Sequence, residues 1–338
     1  MKLKKSILNF TALFGSVFCM LTLAISCDLG DDDNAPPTQH TIAYILSQGT
    51  TVTMFGEALE QMDFLDNLNG SDKFTVFAPS DDAFEDFLEE NDYEDLDDVP
   101  DEVLEKLVLN HLVPKKVLSI SDLSDLDIPY MDSSAEYSLF ITEDDDEITI
   151  NSNAAIDDEV RDIIASNGLI HRVDDVITIP TIAAFLEMDG QFSEFYKGLT
   201  TATSDEDFMA FFGSLETDDE SEAPFTVFSP NNDAFESLLE TNDDWEEIED
   251  IEESLLTAIL KHHVVLNEAV EKEDLEDDIE SLETWEGGSL LFTDSDDEIS
   301  ITDGSGNEGI TIVIYDIKTA NGIIHGVDTV LIPTTETP

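Results

Sequence analysis

Chemistry in this chain has few places to come from. The six histidines are His40, His111, His171, His262, His263 and His325, and the two cysteines are Cys19 and Cys27. Paired histidines can hold zinc or act as general bases, but no carboxylate stands at metal-ligand spacing beside them on the same element. With no cysteine after position 27, thiol catalysis, a thiolate metal site and a disulfide are all excluded from the rest of the chain. The run GSGNEG at 304–309 fits G-x-G-x-x-G, yet it follows EISIT and precedes ITIVIYDI. It therefore joins strand to strand, whereas a dinucleotide site needs strand to helix, and a hairpin turn is expected there. There is no G-x-S-x-G elbow, no H-E-x-x-H and no phosphate loop. Carboxylates are the one abundant reactive group, so a hydrolase or carbohydrate-active accessory working with paired carboxyls is the catalytic alternative. A cleft holding a carboxyl of strongly raised pKa would favour it.

The elements that must position the histidines occur twice. FTVFAPSDDAF at 74–84 returns as FTVFSPNNDAF at 225–235, LNHLV around His111 as KHHVV around His263, and NGLIHRVDDV from Asn167 as NGIIHGVDTV from Asn321. The offsets are 225 − 74 = 151, 263 − 111 = 152 and 321 − 167 = 154, so the chain is a duplicated domain with small loop insertions. A solenoid would repeat at roughly 20 to 50 residues. In each copy a short apolar strand ends at a proline, and a Ser or Asn N-cap with an acidic first turn opens a helix. One histidine of each copy falls at the end of a mid-domain helix (His111, His263) and one on the closing strand (His171, His325).

In the first copy, Val52, Phe55, Leu59, Met62 and Leu65 recur at helical spacing, which predicts a helix over 51–67. Pro100 opens a second helix whose buried stripe is Val103, Leu104, Leu107, Val108 and Leu112. The pattern then alternates: a hairpin of 137–142 and 148–151 about an acidic turn at 143–147, and a long final strand over 169–179. The second copy is read in the same order, with helices over 182–188 and 205–215, the strand from Phe225, helices to about Val265, and then strands. The junction at 179–181 is short, which predicts a fairly fixed angle between the copies.

These three signatures resemble the fasciclin domain family, over nearly all of the chain after about residue 40. The resemblance implies an α+β fold: two tandem fasciclin-like domains, each a β-sheet wedge with helices packed against it. It implies domains over 38–180 and 181–335, used for adhesion to cells or extracellular matrix and not for catalysis. It also implies that His111 and His263 are partly buried structural residues, ring nitrogens bonded to backbone or a nearby polar group. Animal members often carry Tyr before this histidine, in a segment implicated in integrin binding, but this chain has Asn110 and His262 there. The helix end remains as a candidate contact surface, formed by Asn110, His111, His262 and His263.

Residues 1–26 read as a secretory signal, with Lys2, Lys4 and Lys5, an apolar stretch over 7–25, and Ser26 before Cys27. Leu-Ala-Ile-Ser-Cys resembles a bacterial lipoprotein box, which implies cleavage before Cys27 and lipidation of its thiol. An uncleaved membrane helix is the other reading. The stretch 27–37 is an acidic tether with Asp31, Asp32 and Asp33. It either resembles the surface-export signal of outer-membrane lipoproteins or is an ordinary solvated linker.

From Cys27 onward the chain carries 10 Lys plus Arg against 80 Asp plus Glu, a formal charge of 10 − 80 = −70. Nucleic acid is excluded as a partner and anionic lipid as a docking surface, because both need clustered cations; any membrane contact is through the lipid anchor. The acidity fits a salt-adapted, solvated surface, or one that gathers Ca²⁺ or Mg²⁺ loosely; no EF-hand pattern is present and no cofactor is expected. The expected product is an exported lipoprotein at the outer membrane, displayed on the surface and binding extracellular polysaccharide or a matrix or cell-surface protein. A periplasmic structural protein is the remaining alternative.

Overall fold

The computed structural model describes residues 40–201, 208–214, 224–277, 279–295 and 298–334. The signal segment, Cys27 and the tether lie outside the described residues, as do the start of the helix expected at Asp205 and the acidic run 218–222.

The first repeat begins with helices α1 (Ile42–Gln48) and α2 (Thr53–Gln61), strand β1 (Phe74–Pro79), and helices α3 (Asp81–Glu90) and α4 (Asp101–Asn110). It continues with β2 (Leu112–Pro114), α5 (Ile120–Ser124), β3 (Tyr130–Asp132), β4 (Ser138–Asp144), β5 (Glu147–Ile150), β6 (Ala154–Ala155), β7 (Ile163–Ala165) and β8 (Gly168–Val173). The second repeat has α6 (Ile182–Met188), α7 (Ser193–Thr201), α8 (Phe208–Gly213), β9 (Phe225–Pro230), α9 (Asn232–Leu239) and α10 (Glu253–His262). After these come β10 (Val264–Val265), α11 (Lys272–Asp277), β11 (Ser281–Glu283), β12 (Ser289–Ser295), β13 (Glu298–Thr302), β14 (Ile310–Thr319) and β15 (Gly322–Val327).

The repeated strand β1 sits inside its sheet, whose order is β2-β1-β8-β7, and pairs in parallel with β8. A parallel strand covered on both faces needs an unbroken apolar run, which is what FTVFAP supplies. Phe74, Val76 and Ala78 face the helices α1 to α4, while Phe77 faces the second sheet, β3-β4-β5-β6. Each domain thus has two cores, one between helices and sheet and one between the two sheets. In the second domain β14 is long enough to join both layers, giving a seven-stranded order β10-β9-β15-β14-β13-β12-β11. Ser80 and Asn231 cap α3 and α9 by accepting from the N–H groups of Ala83 and Ala234.

Several sequence expectations need correction. The helix expected over 51–67 spans only Thr53–Gln61, because Asp63 takes a left-handed backbone (φ 55°) that breaks the helical hydrogen-bond run. Helix α4 does open at Pro100, which is its N-cap. Val103 lies off the buried stripe and is exposed, and Leu112 belongs to β2. The final strand stops at Val173 and not at residue 179: Asp174 turns the chain and accepts from the Ala155 N–H. Helices α1, α5, α7 and α11 are not announced by the sequence pattern. The hairpin β4–β5 does form, with Asp145 and Asp146 both left-handed at its turn, and GSGNEG joins the antiparallel strands β13 and β14.

The two domains are packed on one another. Phe140 of β4 is buried among the core residues of the second domain, 5.8 Å from the Phe185 ring of α6. Tyr130 stacks on Phe140 and donates its hydroxyl to the Asp189 carboxylate. Ser138 Oγ accepts from the Lys318 N–H at 3.0 Å, and the Ala320 N–H donates to Pro180 O at 2.8 Å across the junction.

Candidate functional site

The closing motif explains its own asparagine and glycine. Asn167 Oδ1 accepts from the Ile42 N–H and its Nδ2 donates to Leu68 O; Asn321 does the same with the Ile182 N–H and Phe212 O. Each asparagine thereby ties the first helix of its domain to the last strand. A Cβ on Gly168 would lie 1.9 Å from Phe74 O, and one on Gly322 2.2 Å from Phe225 O, so only glycine lets these parallel strands approach. The threonine of FTVF closes the loop after the mid-domain strand, Thr75 Oγ1 accepting from the Leu118 N–H and Thr226 Oγ1 from the Val270 N–H.

The histidines are equally engaged. His111 Nδ1 donates to Leu107 O (2.7 Å) and its Nε2 accepts from the Ile177 N–H (2.9 Å). His263 repeats this with Ile259 O (2.7 Å) and the Leu331 N–H (2.8 Å). The closing-strand pair has the opposite tautomer. His171 Nε2 donates to Leu118 O and its Nδ1 accepts from the Asp162 N–H; His325 does so with Val270 O and the Asp316 N–H. Burial pushes His111 down to about 4 and His263 to about 3, and lowers His171 and His325 as well. All four are neutral cross-links between the strands and the chain that wraps them, with both ring nitrogens occupied by backbone.

All four are fully buried, not partly, and so are Asn110 and His262. None of the four side chains expected to form a contact surface at the helix end is therefore exposed. Asn110 donates to Ile177 O (3.1 Å). His262, its counterpart, accepts from the Gly304 N–H (3.1 Å), while its Nδ1 lies 3.1 Å from Thr284 Oγ1 and 3.4 Å from Glu286 Oε2. The structure gathers these residues into two copies of one internal scaffold.

The surface that remains is acidic, and its concavities are open. One, about 910 Å³, lies between α7 and α9 and includes Glu194, Asp233, Glu236 and Trp245. A second, about 440 Å³, lies at the domain junction, where Asp132, Asp316 and Lys116 meet the apolar Ile128, Tyr130 and Val313. Burial raises the Asp132 carboxyl, and Lys318 draws it back down. Asp189 is also raised by burial, although the Tyr130 hydroxyl and the Gln191 N–H oppose this, so it is held as an acceptor and not as a free acid. Sequence reasoning singled out neither; half-burial of one aspartate among 80 acids leaves no periodic signal. Among the described residues no three histidine, cysteine or acidic side chains are grouped to hold a metal ion, and no helix is long and apolar enough to cross a membrane.

The profile of the fasciclin domain matches residues 50–180 and again 190–333. The chain belongs to the fasciclin domain family. Human periostin is 26% identical over 309 residues, which cover 88% of this chain and 32% of periostin. Pig transforming growth factor-beta-induced protein ig-h3 is 26% identical over 301 residues, covering 84% and 38%. Protein sll1483 of Synechocystis is 30% identical over 188 residues, 53% of this chain and 99% of that protein. The chain thus spans about a third of the length of the two animal relatives. A solved pair of FAS1 domains from the insect cell adhesion molecule fasciclin I superposes with a TM-score of 0.54 at 20% identity, covering 83% of this chain and 97% of the other. That likeness is one of fold: two fasciclin domains in tandem.

Proposed function

We propose that this fasciclin-domain protein is an exported adhesion module without catalysis, held at the outer membrane by lipid on Cys27 and displayed at the cell surface. The observation that carries the reading is the fate of the repeated motifs. Their polar side chains at 75, 111, 167 and 171, and at 226, 263, 321 and 325, are tied to backbone inside the fold, so the shared residues build a scaffold and leave recognition to the surface. The name of the insect relative, a cell adhesion molecule, supports the same role.

The ligand class follows from charge. A surface with 80 acids repels another polyanion, and screening over a Debye length of about 8 Å weakens that repulsion without reversing it. A multivalent hard cation reverses it by sharing carboxylate oxygens of both partners. The partner is therefore an acidic extracellular polysaccharide, or a matrix or cell-surface protein, bridged by loosely bound Ca²⁺ or Mg²⁺. Binding of the full chain to a polyuronate should appear at Ca²⁺ on the order of 10⁻⁴ to 10⁻³ M and vanish on chelation. Binding that persists unchanged in chelator at equal ionic strength removes the cation bridge.

A second reading rests on Asp132, whose carboxyl is raised by burial in the junction cleft beside Asp316. It is the catalytic alternative, in which the cleft cleaves a glycan with a carboxyl pair. Release of reducing ends from a polyuronate, lost in Asp132→Asn, would establish it in place of the adhesion module.

A further inference from the structure

The contact between the two domains is built from elements that both domains own, but each domain uses a different half. The first domain contributes the outer face of β3–β4, and the second contributes α6 and the end of β14. Because the domains are duplicates, the second has its own copy of the first half and the first has its own copy of the second.

The register fixes the correspondence. Tyr130 pairs with Phe140 across β3–β4 as Ser281 pairs with Leu291 across β11–β12. Leu291 is therefore the counterpart of Phe140, and Ser289 of Ser138. On the other side, the Ile182 N–H bonds Asn321 as the Ile42 N–H bonds Asn167, so α1 matches α6. The Ala320 N–H bonds Pro180 O as the Ser166 N–H bonds His40 O, so Ile164 of β7 is the counterpart of Lys318.

Exposure separates the used halves from the unused ones. Phe140 is 5% exposed, whereas its counterpart Leu291 is 50% exposed; Ile164, which matches Lys318, is 65% exposed and Tyr44 of α1 47%, while Ile45, which matches the buried Phe185, is half-buried. Leu291, Ile164 and Tyr44 are three of the seven large apolar side chains exposed among the described residues, and all three fall on the two unused halves; of the other four, Ile128 and Val313 line the junction cleft within the chain. Leu291 is outward on a strand whose neighbours Leu290 and Phe292 are buried in the core, so its exposure belongs to the sheet face and not to a frayed end.

We propose that copies of this chain associate head to tail, the β11–β12 face of the second domain of one copy packing on α1 and β7 of the first domain of the next. The occupant is a second copy because the complementary surface is present on the chain itself, in the arrangement that already joins its two domains. Such a contact is heterologous and does not close on itself, so it extends into rows and not into a symmetric dimer. It lacks the Tyr130–Asp189 bond, since Ser281 and Gly49 stand at the matching places, and it is weaker than the contact within the chain. It also brings two strongly acidic surfaces together. Association should therefore strengthen as salt is raised, the reverse of a contact held by ion pairs, because the Debye length falls to about 3 Å at 1 M.

The test is a cross-link between chains in which Cys19 and Cys27 are replaced by alanine, one carrying Ser289→Cys and the other Ile164→Cys, positions whose counterparts Ser138 and Lys318 are hydrogen-bonded at 3.0 Å. Mixed and oxidised in high salt, the two should yield a covalent dimer. Either variant alone, the parent chain, or Ser289→Cys mixed with Val103→Cys should yield only background. Adding Leu291→Asp to the first partner, or Tyr44→Asp to the second, should abolish the dimer while leaving the melting temperature unchanged, since both side chains are exposed. Equal dimer from Ser289→Cys alone would mean a symmetric contact and overturn the proposal. So would the absence of a cross-link in high salt, or one insensitive to both Asp substitutions.

Discussion

Acidification should unfold this protein before most of its carboxylates are protonated, and the cause is the buried histidines. Burial pushes His111 down to about 4 and His263 to about 3 in the folded chain, from the ordinary imidazole value of about 6.5. Their folded pKa is depressed, so between 6.5 and those values the unfolded chain binds more protons than the folded one, and stability falls as pH falls. Above about 6.5 both states are neutral and the contribution is flat. At pH 5 each residue costs about 1.36 × 1.5, or roughly 2 kcal/mol, one such residue in each domain. His171 and His325 are lowered in the same direction and add to the loss. The acids oppose it only weakly at that pH, since ordinary Glu at about 4.3 is then less than a fifth protonated and relieves little of the charge repulsion. The assay is urea denaturation at fixed ionic strength from pH 7.5 to 5. The slope between pH 6 and 5 should correspond to an excess of at least one proton per domain on unfolding. His263→Gln should weaken the second domain at neutral pH and remove about one proton from its slope. A stability that is flat or rises from pH 7 to 5 would refute the assignment of these rings as buried and neutral.

Gly322→Ala places a methyl 2.2 Å from Phe225 O and should cost about 3 kcal/mol or more, read as a lowered midpoint of the unfolding transition; a shift under about 0.5 kcal/mol would mean that the parallel pair is not as close as described. Phe140→Ala removes a ring that the first domain lends to the second domain's core and should cost about 3 to 5 kcal/mol of coupling, separating one melting transition into two. Unchanged cooperativity would mean that the domains do not stabilise each other. For the anchor, labelled palmitate should enter the chain and Cys27→Ala should abolish that labelling, because two or three acyl chains at about 0.8 kcal/mol per buried CH₂ hold a protein that one chain would not.

The fold was legible in the sequence where a constraint was strong enough to be repeated. Phe74 to Pro79 and Phe225 to Pro230 are buried on both faces, and Asn167–Gly168 and Asn321–Gly322 are fixed by a bond to a distant helix and by backbone contact, so these stretches kept their letters. What escaped were features set by tertiary context. Helix α1 has seven residues, too few for a periodic pattern to stand out, and it owes its place to the asparagine 125 residues away. The end of α2 is set by the left-handed turn at Asp63, which no apolar spacing announces. Of the candidate site, the histidines were visible as a repeated pair and the family resemblance implied partial burial of His111 and His263; that the burial is complete and extends to Asn110 and His262 was not legible, because a neutral imidazole bonded at both nitrogens leaves the same letter as a ligand. The asymmetry between Phe140 and Leu291 was invisible until the register was known.

Adhesion of living cells decides whether the chain is an adhesion module. Cells displaying the full chain are allowed to settle on polyuronate and on matrix-protein coatings in millimolar Ca²⁺, beside cells lacking it and cells carrying Asp132→Asn. The account predicts that attachment to at least one coating is lost without the chain and under chelation, is retained in full by Asp132→Asn, and leaves the coating uncleaved. Attachment indifferent to the chain, or release of sugar fragments that Asp132→Asn abolishes, would contradict it.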